Sequence, residues 1–505
     1  METPRQTLAT IVATIGPASQ SEDTVRRLIL GGVNVFRFNF SHGTPEDHAA
    51  RARVVREISA DLGRHVAIMG DLPGPKIRVS RVPDSGIWLE PGQDVILDPG
   101  LKDATPAAGA TPAMLGCTVE GIDEAVSPGH KVLINDGAIR LLSVERAPSD
   151  PAGSIRCRVM VGGLVTTGKG INFPMSQLRV PALTDRDRQW VQWAIEQRLD
   201  FLALSFVRSA GEIIELKSIL AKGADTGPDS PGPIPVIAKI EKPQAVEAIE
   251  SIVQASDGIM VARGDLGVET DAALVPVIQK RVVAAAGRFG KPCIVATQML
   301  ESMIESATPT RAEASDVANA IFDGADAVML SGETAIGKHP TLVVETMKRV
   351  VAAAEAFDAL SRTEPSPSSH DLATGHRTAA LSLAAFHAAR GVAARAVAVW
   401  SQRGGSARHL SQTGFQIPII AYSSAVEVTR RMQLLRGVIG RCEPVPDSLA
   451  EWNALVVRDI RDLDLCRDGD AVILVAGLPL GVQGSPNTIA FYRLGENVGG
   501  FLGAG

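Results

Sequence analysis

Short apolar, β-branched runs recur along the chain, each followed by a stretch whose apolar positions return every three or four residues. The runs occupy residues 11–15, 33–38, 66–70, 201–204, 236–240, 258–261, 293–296 and 327–330. A buried strand feeding an amphipathic helix is the pattern of a parallel βα unit, and about eight such units close a TIM barrel. Between Asp71 and Leu183 the pattern changes to brief strands punctuated by Gly and Pro, as in Val95-Ile-Leu-Asp-Pro-Gly and Val132-Leu-Ile-Asn-Asp-Gly. This interval predicts an all-β domain inserted after the third strand, where a barrel loop can act as a lid. Residues 361–375, rich in Ser, Pro and Thr, predict a linker. The α/β alternation then resumes with strands at 396–400, 418–422 and 471–475, an open sheet. The expected fold class is therefore α/β: a TIM (β/α)8 barrel from residues 1–72 and 173–358, an inserted β-barrel lid domain at 73–172, and a C-terminal open-sheet α/β domain at 359–505. Met299, Leu300 and Met303 are expected to form helix core. The glycine-rich tail, residues 499–505, is expected to be ordered only if a subunit contact fixes it.

Composition narrows the class. A chain of 505 residues with 45% hydrophobic residues holds more than one core. A net charge of -6 gives no bulk attraction for polyanions, so nucleic acid is not an expected partner, although a local basic pocket remains compatible with phosphates. Five scattered cysteines without a CxxC pair argue against a disulfide framework or a structural zinc site, and fit a reducing compartment. No apolar run reaches the roughly 18 residues of a membrane span, and residues 8–15 lack the flanks of a signal peptide. A cytoplasmic location is expected.

In a TIM barrel the chemistry gathers where strands end. The exits read Arg37 and Asn39 after the second strand, Asp71 at the third, Ser205 at the fourth and Lys239 and Glu241 at the fifth. They continue with Arg263 and Asp265 at the sixth, Thr297 at the seventh, and Ser331 and Glu333 at the eighth. Every strand but the first thus delivers polar groups to one rim. Carboxylates with hydroxyls suit a hard divalent cation, Mg²⁺ or Mn²⁺, at Glu241 and Asp265. Lys239 and the arginines suit an anionic substrate, with Arg37 able to grip phosphate as a fork. Gly264, at a strand-to-helix turn, lets a ligand approach the main chain.

The chain resembles the pyruvate kinase family over nearly its whole length. The resemblance rests on an ordered series of segments that includes Thr14-Ile-Gly-Pro-Ala-Ser, Asn39-Phe-Ser-His-Gly, Gly74-Pro-Lys-Ile-Arg, Ala238-Lys-Ile-Glu and Asp257-Gly-Ile-Met-Val-Ala-Arg-Gly-Asp-Leu-Gly-Val-Glu. It continues with Ala296-Thr-Gln-Met-Leu-Glu-Ser-Met, Pro309-Thr-Arg-Ala-Glu and Met329-Leu-Ser-Gly-Glu-Thr. It implies phosphoryl transfer from phosphoenolpyruvate to ADP, giving pyruvate and ATP, the last step of glycolysis, in a homotetramer. By similarity, Glu241 and Asp265 hold the Mg²⁺. Gly264, Asp265 and Thr297 bind the substrate carboxylate, and Lys239 stabilises the phosphoryl group in flight and the enolate left behind. A second metal would arrive with the nucleotide. Arg37, Asn39, His42, Arg78, Asp136 and Lys169 resemble nucleotide and phosphate contacts. Thr297, Ser331 and a relayed water are the candidates for protonating the enolate carbon.

Two departures stand out. Relatives commonly hold K⁺ with residues matching Asn39, Ser41, Asp71 and the carbonyl of Leu72, and those that require K⁺ usually carry Glu where this chain has Lys76. An ammonium there supplies the missing charge internally, so the chain is expected to work without K⁺. In the third domain, the loop with Ser401, Arg403, Ser406 and Arg408 has the strand-to-helix form that binds phosphate and matches the relatives' sugar-phosphate effector site, yet Gly405 stands where many activated relatives have a basic residue. The competing expectations are another metal-dependent barrel enzyme acting on phosphoenolpyruvate or pyruvate by carbon–carbon chemistry, and a non-catalytic regulatory homologue.

Overall fold

The computed structural model of the chain describes residues 7–109, 111–174, 176, 178, 180–224, 230–361, 368–480 and 486–496. Eight apolar runs become the strands of a closed barrel, with the inserted domain between the third and fourth of them. The first three are β1 (Thr10–Thr14), β2 (Val33–Asn39) and β3 (Ala67–Leu72). The inserted domain holds β4 (Ile87–Leu89), β5 (Asp94–Asp98), β6 (Ala113–Gly116), β7 (Lys131–Ile134), β8 (Ile139–Val144), β9 (Ile155–Val161), β10 (Gly163–Val165) and β11 (Ile171–Asn172). The barrel resumes with β12 (Phe201–Leu204), β13 (Val236–Ile240), β14 (Gly258–Ala262), β15 (Cys293–Ala296) and β16 (Ala327–Leu330). Its closed order is β1-β16-β15-β14-β13-β12-β3-β2, parallel throughout.

Alternation along each strand decides the layers. Val12, Val35, Met69, Ala203, Ile237, Met260, Ile294 and Met329 fill the barrel interior. Their neighbours Ile11, Phe36, Ile68, Leu202, Ala238, Ile259, Val295 and Val328 pack outward against the helices. β2 and β3 run past the ends of their apolar runs, to Asn39 and Leu72, because the ladder continues through the pair Asn39 and Asp71. Asn39 and Asp71 therefore sit on strand backbone, held more firmly than loop residues would be.

The inserted domain is a six-stranded sheet, order β11-β7-β8-β9-β5-β6, with a two-stranded β10-β4 ribbon. It also contains one helical turn, Ile122–Ala125, so it is not purely β. Gly74, at its entry, has φ +63, and a Cβ there would stand 2.9 Å from the Phe206 ring. Only glycine suits both constraints.

The C-terminal sheet has five strands: β17 (Ala396–Trp400), β18 (Ile419–Ser423), β19 (Val438–Cys442), β20 (Ala471–Ala476) and β21 (Thr488–Arg493), in the order β19-β18-β17-β20-β21. The strands expected at 396–400, 418–422 and 471–475 are present. β19, interrupted by Gly440 and Arg441, and the antiparallel edge strand β21 were not expected. Of the expected linker, residues 362–367 lie outside the described residues, while Ser369–Ala373 is a helix. Ser368 caps it and donates to the Arg288 carbonyl of the barrel at 2.9 Å, so this part of the segment is docked. Residues 499–505 lie outside the described residues. Met299, Leu300 and Met303 are fully buried, but in a loop and a 3-10 turn (Glu301–Ile304) instead of an α-helix.

Candidate active site

Lys239 and Glu241 lie two residues apart at the exit of β13, so strand geometry points both into the barrel mouth. The Lys239 Nζ stands 2.8 Å from Glu241 Oε1 and 3.3 Å from Asp71 Oδ1, and donates to Ser205 Oγ at 2.7 Å. On the other side of Asp71, the Arg37 Nε donates to Oδ2 at 2.6 Å. Arg37 Nη1 donates to Thr14 Oγ1 at 3.1 Å, so the first strand also contributes a polar group, against expectation.

All four charges are buried. Burial pushes the Asp71 carboxyl up, but the adjacent Lys239 ammonium and Arg37 guanidinium outweigh it and hold Asp71 below the usual carboxylate range. Burial likewise acts to strip the Lys239 proton, and Asp71 and Glu241 hold it on. Glu241 is the opposite case. Burial raises its carboxyl, Lys239 only partly opposes this, and the charge of Asp265 raises it further. A second carboxylate working against a buried one is relieved by a cation between them. Oxygen donors are the set that Mg²⁺ or Mn²⁺ takes, so these residues fit a hard divalent ion. Among the described residues, no group of three or more His, Cys, Asp or Glu side chains forms a metal cluster. The protein would thus supply two carboxylates, leaving the other positions to substrate and water.

Asp265 comes from the short helix Arg263–Glu269, which starts directly at the end of β14. The hydroxyl of Thr297 accepts from the Gly264 N–H at 2.7 Å and donates to the Ala296 carbonyl at 2.6 Å. Gly264 and Thr297 are therefore together as expected, although that N–H is already paired with the hydroxyl. Arg263 does not face a substrate. Its Nη2 donates to the carbonyls of Thr297 at 2.9 Å and Gln298 at 3.1 Å, and its Nη1 pairs with Asp316 at 2.6 Å. Thr297 and Gln298 both adopt left-handed backbone, φ +69 and +53, and the guanidinium fork locks that pair of carbonyls.

Two cavities meet here. The smaller, about 70 Å³, is lined by Arg37, Lys239, Glu241 and Asp265 together with Asn39, Ser41, Asp71, Leu72 and Lys76. The larger, about 890 Å³, lies between lid and barrel and is lined by Arg78, Asn135, Asp136, Lys169, Asn172 and Lys242. Lys76, Phe206 and Asp265 belong to both. Arg78 donates to the Gly168 carbonyl at 2.8 Å, fixing it to the turn that carries Lys169. Of the expected site residues, His42, Gly264, Thr297 and Ser331 line neither cavity. His42 is exposed, and the Ser331 hydroxyl is buried without a hydrogen-bond partner among the described residues. Glu333 is turned away from the mouth, accepting from the backbone N–H groups of Leu300 and Ser331.

Two of the four expected effector residues are engaged elsewhere, while Ser406 is half-buried. Ser401 Oγ accepts from the Ala407 N–H at 3.1 Å, and Arg408 Nη1 reaches across to the Gly290 carbonyl of the barrel, which leaves Arg403 exposed by the loop. The helix following this loop, Gly405–Ser411, is too short to offer a strong anion-binding end.

The barrel-with-lid architecture is shared by known proteins. A pyruvate kinase barrel-domain model matches residues 6–344, and a pyruvate kinase alpha/beta-domain model matches residues 379–491. The chain belongs to the pyruvate kinase family. Pyruvate kinase 2 of Synechocystis sp. is 40% identical over 488 residues, spanning 96% of this chain and 79% of that protein. The pyruvate kinase of Corynebacterium efficiens is 39% identical over 487 residues, 96% of this chain and 98% of that protein. The crystal structure of a pyruvate kinase from Cryptosporidium parvum superposes with a TM-score of 0.86 at 32% identity, covering 96% of each chain. The chain is accordingly an enzyme of that family, and Lys239, Glu241 and Asp265, whose loss would mark a non-catalytic homologue, are all present. Among the described residues, no helix is long and apolar enough to cross a membrane.

Proposed function

We propose that the chain transfers the phosphoryl group of phosphoenolpyruvate to ADP, giving pyruvate and ATP, at the mouth of its barrel. The observation that carries this is the buried Arg37–Asp71–Lys239–Glu241 array opening, past Asp265, into the large lid cleft. In this reading phosphoenolpyruvate takes the smaller cavity and reaches beyond its lining toward Thr297. Its phosphoryl group faces Arg37 and Lys239, and its carboxylate faces Thr297 and the start of the Gly264–Asp265 turn. When bound at Glu241 and Asp265, Mg²⁺ or Mn²⁺ supplies Lewis acidity toward the carboxylate and the bridging oxygen.

As the bond from phosphorus to the bridging oxygen breaks and a bond to the terminal ADP oxygen forms, the electron pair stays on the enolate oxygen. Lys239, held charged by Asp71 and Glu241, opposes that developing charge without having to reorganise. A proton then goes to the enolate carbon, with Thr297 and Ser331 as the side-chain candidates. Arg78, Asp136 and Lys169 line the lid cleft and are proposed to face the nucleotide; Asn39 would do so from the barrel side. His42 is the weakest of the expected contacts, since it lines neither cavity.

Lys76 borders the smaller cavity beside Asn39, Ser41, Asp71 and Leu72, which supports its acting in place of K⁺. A lactate-dehydrogenase-coupled assay tests the activity: pyruvate must appear only with both phosphoenolpyruvate and ADP, and ADP-independent pyruvate would favour carbon–carbon chemistry instead. Repeating it with K⁺ replaced by a bulky organic cation tests Lys76, since collapse of the rate removes its proposed role. Light scattering tests the homotetramer, and rates across sugar phosphates and AMP at sub-saturating phosphoenolpyruvate test whether any effector acts.

A further inference from the structure

Both carboxylate-bearing segments of the metal site are tied to the lid through one buried side chain. Glu269 closes the helix that begins beside Asp265, and its side chain is wholly buried. Its Oε1 accepts from Lys242 Nζ at 2.5 Å and from Asn172 Nδ2 at 2.7 Å. Lys242 is the residue after Glu241, and Asn172 is the last residue of the lid strand β11. The contact continues inward. The Lys242 ammonium lies 5.6 Å from the centre of the Phe206 ring, and the Phe206 N–H donates to Glu241 Oε2 at 2.7 Å from a left-handed backbone, φ +56. Among the described residues, the second Glu269 oxygen is buried with no hydrogen-bond partner. A buried carboxylate with one oxygen unpaired is costly, and among the described residues one ammonium and one amide compensate it.

We propose that Glu269 is a positioning residue that links the lid to the metal site, so that the seat of β11 and the grip of Glu241 and Asp265 on the cation are set together. The inference rests on the assignment of the divalent cation to those two carboxylates. Loss of the Asn172 contact leaves Glu269 holding Lys242 alone and releases the lid end of the chain. Loss of the Glu269 charge frees Lys242 to move off Phe206, and with it the N–H that orients Glu241. Coupling of this kind is reciprocal: whatever seats the lid tightens the metal, and the metal steadies the lid.

Mn²⁺ titrations followed by electron paramagnetic resonance, on the full chain without substrates, read this directly. D265N establishes the site by abolishing tight Mn²⁺ binding; if it does not, the metal assignment itself falls and the link with it. Given that control, Asn172→Ala, a lid residue touching no metal ligand, is expected to weaken Mn²⁺ about fivefold. Glu269→Gln is expected to weaken it by a similar or larger factor, and the double variant no further than Glu269→Gln alone. The KM for ADP should rise in the same variants more than the KM for phosphoenolpyruvate. Unchanged Mn²⁺ affinity in Asn172→Ala overturns the proposal, as do effects that simply multiply in the double variant. Should Glu269→Gln fail to fold, the Asn172→Ala titration alone decides between the same two outcomes.

Discussion

At the scale of single residues, the site depends on charges whose partners are fixed. Lys239 pairs with both Asp71 and Glu241, so Lys239→Met removes the charge proposed to oppose the enolate, takes the ion pair from buried Glu241 and leaves Asp71 with Arg37 alone. The variant is expected to lose at least about a hundredfold in kcat and several degrees in Tm. Adding Asp71→Asn should recover part of the Tm and none of the kcat; recovery of both would mean that Lys239 acts only structurally. Arg263 works one layer back. Lysine cannot fork between the Thr297 and Gln298 carbonyls, and each left-handed residue it releases relaxes by about 1 kcal/mol or more. Arg263→Lys should therefore lower kcat/KM for phosphoenolpyruvate roughly tenfold to a hundredfold, with the KM for ADP nearly unchanged in initial-rate kinetics. Equal losses for the two substrates would refute a role confined to Thr297. Lys239, Glu241 and Asp265 were legible because strand exits in a barrel share one rim. The direction of Arg263 was not, because its long stem can reach either way and its partner Asp316 lies on a later helix.

At the scale of elements, local signals decided what could be read. The capping box of the helix Arg311–Asp323 is written in Thr310 and Glu313, three residues apart. What the sequence does not show is that Glu313 also accepts from Ser302 N at 2.7 Å and from Ser302 Oγ at 2.5 Å, anchoring the turn that follows Thr297. Thr310→Ala should cost about 1 kcal/mol. Glu313→Ala should cost more, because it unties a second segment, and urea denaturation of the two variants checks the order. A larger loss in Thr310→Ala would show that the Ser302 contacts carry no stability. β19 and β21 escaped prediction for related reasons. Gly440 and Arg441 break the apolar run of β19, and β21 is an edge strand with Phe491 exposed, so neither is a buried stretch that periodicity detects. The helix Ser369–Ala373 was hidden because its order comes from docking on the barrel, not from its own composition.

At the scale of the whole molecule, domain order followed from pattern changes along the chain, whereas the contacts between domains are invisible to pattern. Leu434 of the C-terminal domain joins the residues filling the barrel interior. From the same domain, Gln412 Nε2 donates to Asp326 Oδ1 at 2.7 Å, and the other Asp326 oxygen accepts from the Cys293 N–H at 2.8 Å. Burial outweighs these donors and pushes the Asp326 carboxyl from its ordinary 3.8 up to about 6. A carboxyl raised on folding favours the protonated native state. Its contribution is therefore full below the unfolded value and is lost as pH rises through the folded one. Asp326→Asn keeps the shape, and its amide can accept from Cys293 while donating to a flipped Gln412 side chain. Other groups titrate in both proteins alike, so the difference in Tm between variant and wild type isolates this one. That difference should be near zero at about pH 4, open in favour of the variant as pH rises, and level off above about pH 6. A gap that is flat with pH, or that widens on acidification, would mean that Asp326 is held charged at the domain boundary and that Gln412 binds it as an anion.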